Sequence, residues 1–251
     1  MCTLILLDRV VPELPVVVAA NRDEFFARPA APPARFAPGD GKLAFVAPQD
    51  LEAGGTWMGL NARGVFVGLT NRPVPVRDRT ARSRGLLVTD ALAEPSAGRA
   101  AEAVERACAE RHSPFNLLAA DGRETWFARL HDDRVQIRPL EPGIHVVCNR
   151  DADDPSSRKV ARIEALLARL DLRAGLEPLL RDLAQVLGAH PEPSNLLENP
   201  CVHGSEYGTR SSSVVAVGPA RRAWRYAGGA PCETKYDDFS RLLDDFPQAV
   251  T

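Results

Sequence analysis

No stretch of this sequence is apolar for long enough to cross a bilayer as a helix, which takes about 20 residues. The first apolar run, residues 2–7, is broken by Asp8 and Arg9 and follows no basic segment, so it does not read as a secretory leader. A basic run is also missing. Lys and Arg number 31 against 33 Asp and Glu, a net charge of −2, and the stripe that marks a nucleic-acid partner is not there. The five cysteines, Cys2, Cys108, Cys148, Cys201 and Cys232, are odd in number, widely spaced and never in a Cys-x-x-Cys pair. That excludes a disulfide framework and the usual zinc-binding spacings. No internal repeat and no long low-complexity tract interrupts the 251 residues. What remains is a chain without a membrane span or nucleic-acid partner, expected in a reducing, cytoplasmic compartment and long enough to bury its own core as one domain over 1–251.

The elements come in blocks. Residues 2–7 and 15–20 are Leu- or Val-rich and flank a Pro-Glu-Leu-Pro turn, which predicts a hairpin. Further short strands are predicted at 42–47, 55–60, 64–70, 115–120, 123–130, 133–138 and 144–148, with a last pair at 211–217 and 222–227. The proline-rich segment 28–39 reads as a connection. Residues 85–110 predict two short helices split near Pro95 and Ser96. The stripes Val160, Ile163, Leu166, Leu167, Leu170 and Leu176, Leu179, Leu180, Leu183, Val186, Leu187 have helical spacing and are expected to face a core. Residues 151–157 read as a helix start with capping groups, and 189–208 as a loop or flap. Strand blocks alternating with helix pairs point to an α+β protein with antiparallel sheets covered by helices.

With its turn near Pro12 and Glu13, the hairpin sets position 2 opposite roughly position 23. Cys2 is thereby expected beside Arg22 and Asp23, in the cluster Asn21-Arg22-Asp23-Glu24. Met1 before so small a residue is normally removed, leaving Cys2 with a free α-amine. Such an amine titrates at about 7.7–8.0, close enough to neutrality to act as base for its own thiol. Arg22 would favour the thiolate. A Met-Cys start carries no such meaning alone, and charged strand ends are usually only solvated. The predicted juxtaposition is what favours chemistry.

The segments MCTLIL, AANRDE, GGTWMGLNARGVFVGLTNR at 54–72, SRGLLV at 83–88, FNLLAAD at 115–121, HVVCN at 145–149 and GTRSSSVVAV at 208–217 together resemble the NRDE, or transport and Golgi organisation 2, family. That family is similar to the N-terminal nucleophile hydrolases of the cholylglycine hydrolase and penicillin V acylase group. The resemblance implies a four-layer αββα sandwich, with Cys2 as nucleophile. It implies site roles for Arg22 and Asp23, for Asn71 and Asn149 as oxyanion donors, and for Arg210. Those hydrolases separate the Arg and the Asp by two residues, whereas here they are adjacent. The family is also linked to haem trafficking and to lipid or acyl-CoA metabolism.

Each remaining candidate has a bland reading. Asn71 and Asn149 end strands, where Asn is at home, and Arg210 could simply pair with a carboxylate. Trp57 is expected in a core or a pocket wall. Cys201-Val202-His203 joins two good metal or haem ligands, yet with no Cys-x-x-Cys-His or partner motif it reads as a loop thiol and a loop imidazole. No structural metal is expected. Two functions follow. The favoured one is an amidase-like hydrolase of a small non-peptide C–N bond, needing no cofactor. The alternative is a carrier that uses the same cleft for haem or an acyl-CoA-like hydrophobic ligand.

Overall fold

A computed structural model of the chain describes residues 2–39, 41–74, 78, 80–192 and 195–246. In chain order the elements are β1 (Thr3–Val11), β2 (Leu14–Phe25), β3 (Ala30–Phe36), β4 (Phe45–Asp50), β5 (Met58–Asn61), β6 (Phe66–Asn71), α1 (Arg84–Leu92), α2 (Ala97–Ala107), β7 (Phe115–Ala120), β8 (Thr125–His131), β9 (Arg134–Leu140), β10 (Gly143–Val147), α3 (Arg158–Leu167), α4 (Leu176–Leu187), β11 (Tyr207–Val217), β12 (Arg222–Ala227) and the short β13 (Asp237–Asp238). They build one sheet in the order β10-β1-β2-β11-β12-β13 and a second in the order β3-β4-β5-β6-β7-β8-β9. Every pairing is antiparallel.

Period-two alternation assigns the faces. Leu4, Leu6, Val16 and Val18 meet Val46, Met58, Leu60, Phe66 and Leu118 of the other sheet. Ile5, Leu7, Val17 and Ala19 turn the opposite way, onto Val160 and Ile163 of α3 and Leu180, Leu183 and Leu187 of α4. On the far side, Val67, Leu69, Leu117 and Ala119 lie against Leu87, Val88, Ala100 and Val104 of α1 and α2. The result is the αββα sandwich. It explains why β1 and β2 read as unbroken apolar runs, since both faces of each strand are covered.

The starts of α1, α2 and α3 are capped by serines, while α4 starts after Gly175 without a side-chain cap. The Oγ of Ser83, Ser96 and Ser157 accepts from the amides of Gly85, Arg99 and Val160. One expectation fails. Segment 28–39 contains β3, an edge strand of the second sheet with a register shift between Ala31 and Ala34. Pro32 and Pro33 lie in that irregular stretch, at an edge where a missing donor is tolerated. The flap region retains irregular backbone over 199–206; Pro193, also part of that reading, lies outside the described residues. Among the described residues no helix is long and apolar enough to cross a membrane.

Candidate active site

Cys2 immediately precedes β1. The β1–β2 register, Thr3 opposite Asn21 and Leu4 opposite Ala20, carries on to bring it level with Arg22. That lies within the range expected from the position of the turn. Cys2 is only 7% exposed. Burial pushes its thiol above the ordinary value, and the Asp23 charge adds to this. A hydrogen bond from the Asp23 backbone and the Arg22 charge act the other way with less effect. Arg22 thus favours the thiolate as expected, but burial outweighs it.

The four residues after Ala20 alternate between two environments. Asn21 turns to the α4 side, where its Nδ2 donates to the carbonyls of Leu187 and Pro200, both at 2.9 Å. Arg22 turns toward the second sheet. Its Nη2 donates to Asp50 Oδ2 at 2.9 Å, and its guanidinium lies 4.5 Å from the Trp57 ring centroid. Asp23 turns to α3. Its Oδ1 accepts from Thr209 Oγ1 at 2.7 Å, and its Oδ2 is 3.6 Å from Lys159 Nζ. Burial raises the Asp23 carboxyl above its usual range, opposed by the Lys159 charge and the Thr209 hydroxyl. Adjacency in a strand is what sends Arg22 and Asp23 to opposite faces.

Asp50 is the anchor of the inner side. It accepts from Arg22 and, at 2.6 Å, from Arg28 Nε, while its other oxygen takes the amides of Glu52 and Ala53 at 3.1 and 3.0 Å. Burial works against its charge, but these hydrogen bonds and the two guanidinium groups hold the carboxyl below the ordinary carboxylate value. Arg22 Nη1 is buried and has no hydrogen-bond partner among the described residues. It is the kind of donor that a bound oxygen would satisfy.

Cys2, Arg22, Asp23, Asp50, Trp57 and Asn71 all line one cavity of ≈ 990 Å³ between the ends of the two sheets, closed on one side by residues 81–85 at the start of α1. Trp57 is a wall residue, as read from sequence. Asn149 and Arg210 are not among the lining residues. Asn149 stands behind Asn71, its Nδ2 donating to the Asn71 carbonyl at 2.7 Å. Arg210 is the extra residue of a bulge in β11, where Thr209 pairs with Asp23 and Ser211 with Arg22; its Nε is buried without a hydrogen-bond partner among the described residues. The structure thus gathers four of the six candidates in the wall of one cavity, and Asn149 and Arg210 are not part of that wall.

Asp50, Arg28, Thr209 and Lys159 were not singled out in the sequence. Asp50 opens a polar, glycine-bearing stretch and reads as a turn residue, which it also is. Lys159 sits in the first turn of an amphipathic helix, a position normally solvated; here it is 5% exposed.

A family model described as Transport and Golgi organisation 2 matches residues 1–226. A Transport and Golgi organization protein 2 homolog from Homo sapiens is 35% identical over 227 residues, 80% of this chain and 82% of the relative. Among solved structures, a Caenorhabditis elegans N-acylethanolamine-hydrolyzing acid amidase ortholog superposes with a TM-score of 0.62 at 16% identity, covering 85% of this chain and 92% of that one. Penicillin V acylase from Agrobacterium tumefaciens gives 0.58 at 11% identity, covering 98% and 89%. At such identities the likeness establishes the fold, that of the N-terminal nucleophile hydrolases.

Proposed function

We propose that this chain, which belongs to the Transport and Golgi organisation 2 family, is a hydrolase of a small non-peptide amide with Cys2 as its nucleophile. The observation that carries the reading is the position of Cys2. It lies at the head of β1, level with Arg22, in the wall of a cavity large enough for a small molecule. Two proteins of the same fold are called an amidase and an acylase, which supports an amide as the bond class.

The chemistry starts with removal of Met1. The freed α-amine of Cys2 accepts the Sγ proton as sulfur attacks the carbonyl carbon; the C–S bond forms and the carbonyl electron pair moves onto oxygen. Burial opposes a free thiolate, so this transfer accompanies attack. Asn71 supplies a side-chain donor to the oxyanion. Asn149 fixes the Asn71 backbone through its 2.7 Å hydrogen bond and acts as a positioning residue. Collapse breaks the C–N bond, and the leaving amine takes the proton from the α-ammonium. Water, deprotonated by the same amine, then attacks the thioester carbonyl; the C–O bond forms, the C–S bond breaks, the α-ammonium returns its proton to Sγ, and a carboxylic acid is released. Arg22 Nη1 is the donor available to a carbonyl or carboxylate oxygen of the substrate, while Trp57, Leu69 and Val74 give the cavity apolar walls for its acyl part.

The test is a panel of small acyl amides, lactams and acyl thioesters given to the purified full-length protein and to Cys2→Ala. Turnover of at least one amide by the wild type is expected. The variant should lose it by about 10⁴-fold or more while retaining substrate affinity. Wild-type protein that hydrolyses nothing on the panel yet binds haem or an acyl-CoA tightly would replace this reading with that of a carrier.

A further inference from the structure

On the outer side of the first sheet, away from the cavity, four metal-ligating side chains converge. His190 follows α4, Cys201 and His203 precede β11, and Cys232 follows β12. One ligand atom from each can be chosen so that all four lie within 4.8 Å of one another. Cys201 Sγ is 3.7 Å from Cys232 Sγ and 3.5 Å from His203 Nε2. His203 Nε2 is 3.1 Å from Cys232 Sγ, and the His190 and His203 rings lie with centroids 5.0 Å apart.

We propose that these four residues form a tetrahedral site for a structural divalent metal ion, with Zn²⁺ the best-fitting occupant. The spacing is the argument. Zinc bonds of about 2.3 Å to sulfur and about 2.0–2.1 Å to nitrogen, at tetrahedral angles, set sulfur–sulfur edges near about 3.8 Å and sulfur–nitrogen edges near about 3.6 Å. The two Cys201 separations already match those edges. The same 3.7 Å is far too long for a disulfide, which needs about 2.05 Å. Two cysteines and two histidines are the ligand set of a closed structural site and leave no open position for chemistry. Both thiols lose their protons to solvent on binding, so two thiolates and two neutral imidazoles balance a dication. Four donors aimed at one point also leave no plane for a macrocycle, which separates this site from a haem pocket.

Such an ion would cross-link three segments: the residues after α4, the loop before β11 and the turn after β12. The stapled loop bears on the candidate active site. Between Cys201 and His203, the Val202 amide donates to Thr209 Oγ1 at 2.9 Å and the Val202 carbonyl accepts from the Thr209 amide at 2.8 Å. Thr209 Oγ1 in turn donates to Asp23 at 2.7 Å. Asn21 grips the same loop at Pro200. The metal would therefore hold the backing of Asp23 in register without touching the cavity.

The experiment uses full-length protein purified under reducing conditions, stripped with a chelator and titrated with Co²⁺ and then Zn²⁺. One equivalent of Co²⁺ should give the visible bands of a tetrahedral ion together with sulfur-to-cobalt charge transfer. Zn²⁺ should bleach both and raise the melting temperature. Cys232 is exposed, so Cys232→Ser should fold; it should lose the charge-transfer intensity of one thiolate and weaken binding by more than the about 10–100-fold typical of an outer-shell residue. His203→Ala should keep the charge transfer of both thiolates but weaken binding by a similar factor. Any of three results overturns the proposal: no stoichiometric binding, octahedral Co²⁺ spectra, or unchanged affinity in Cys232→Ser. A Cys201–Cys232 disulfide in the reduced preparation would do so as well.

Discussion

At the scale of single residues, the site depends on which side of β2 each member of the Asn-Arg-Asp-Glu cluster occupies. Arg22 is useful only if it is held against Trp57, and Asp50 does the holding while also serving Arg28. Asp50→Asn keeps the shape and removes the charge, leaving two largely buried guanidinium groups short of a partner. Equilibrium urea unfolding should show a loss of about 2–3 kcal/mol, toward the low end for a broken buried pair because the carboxylate keeps some solvent contact. The loss has a pH signature. The Asp50 carboxyl is depressed in the folded state, so its contribution is complete above the unfolded value of about 3.9 and fades as pH falls through the folded one. Wild type and variant should differ fully at neutral pH and converge in acid; a gap that persists in acid would mean that packing, not charge, is responsible. The juxtaposition of Cys2 and Arg22 was legible in the sequence because hairpin register is a local fact, whereas Asn71 was pointed to by the family resemblance. Asp50 was not legible, because its partners are 28 and 22 residues away and its turn role masks the other.

At the scale of elements, the cavity is closed by the contact between the loop before β5 and the start of α1. The Thr56 amide donates to the Gly85 carbonyl at 3.2 Å. A β-carbon on Gly55 would lie 2.3 Å from the Gly85 carbonyl carbon and 2.6 Å from the Leu86 nitrogen. Both neighbours are backbone, so neither can swing aside. Gly55→Ala should therefore push α1 off the sheet edge, cost about 1–3 kcal/mol and lower turnover by displacing residues 81–85 of the cavity wall. Chemical denaturation alongside a kinetic assay checks this; an unperturbed variant would show that α1 is not held there. Most elements could be read in advance: β7 and β12 fall on their predicted limits, and α3 and α4 follow their apolar stripes. β3 could not, because prolines suppress the strand signal and the permission to keep them comes from its place at a sheet edge. The bulge at Arg210 was equally invisible, since it is a property of the β2–β11 pairing and not of either strand alone.

At the scale of the whole molecule, the proposed function would have the sandwich make a nucleophile of Cys2. Burying β1 on both faces fixes Cys2 rigidly, and the gap between the sheet ends supplies the cavity. The same burial disfavours a free thiolate, so the proposed chemistry needs a base within reach, and that base is the α-amine of Cys2 itself. The most direct test is to produce the protein behind a cleavable leader that blocks this amine, and to measure hydrolysis of the best amide substrate before and after a protease releases Cys2 as the first residue. Intact mass confirms each state. The account predicts negligible turnover with the leader present and its appearance in proportion to release; equal turnover from the blocked and released proteins would contradict it.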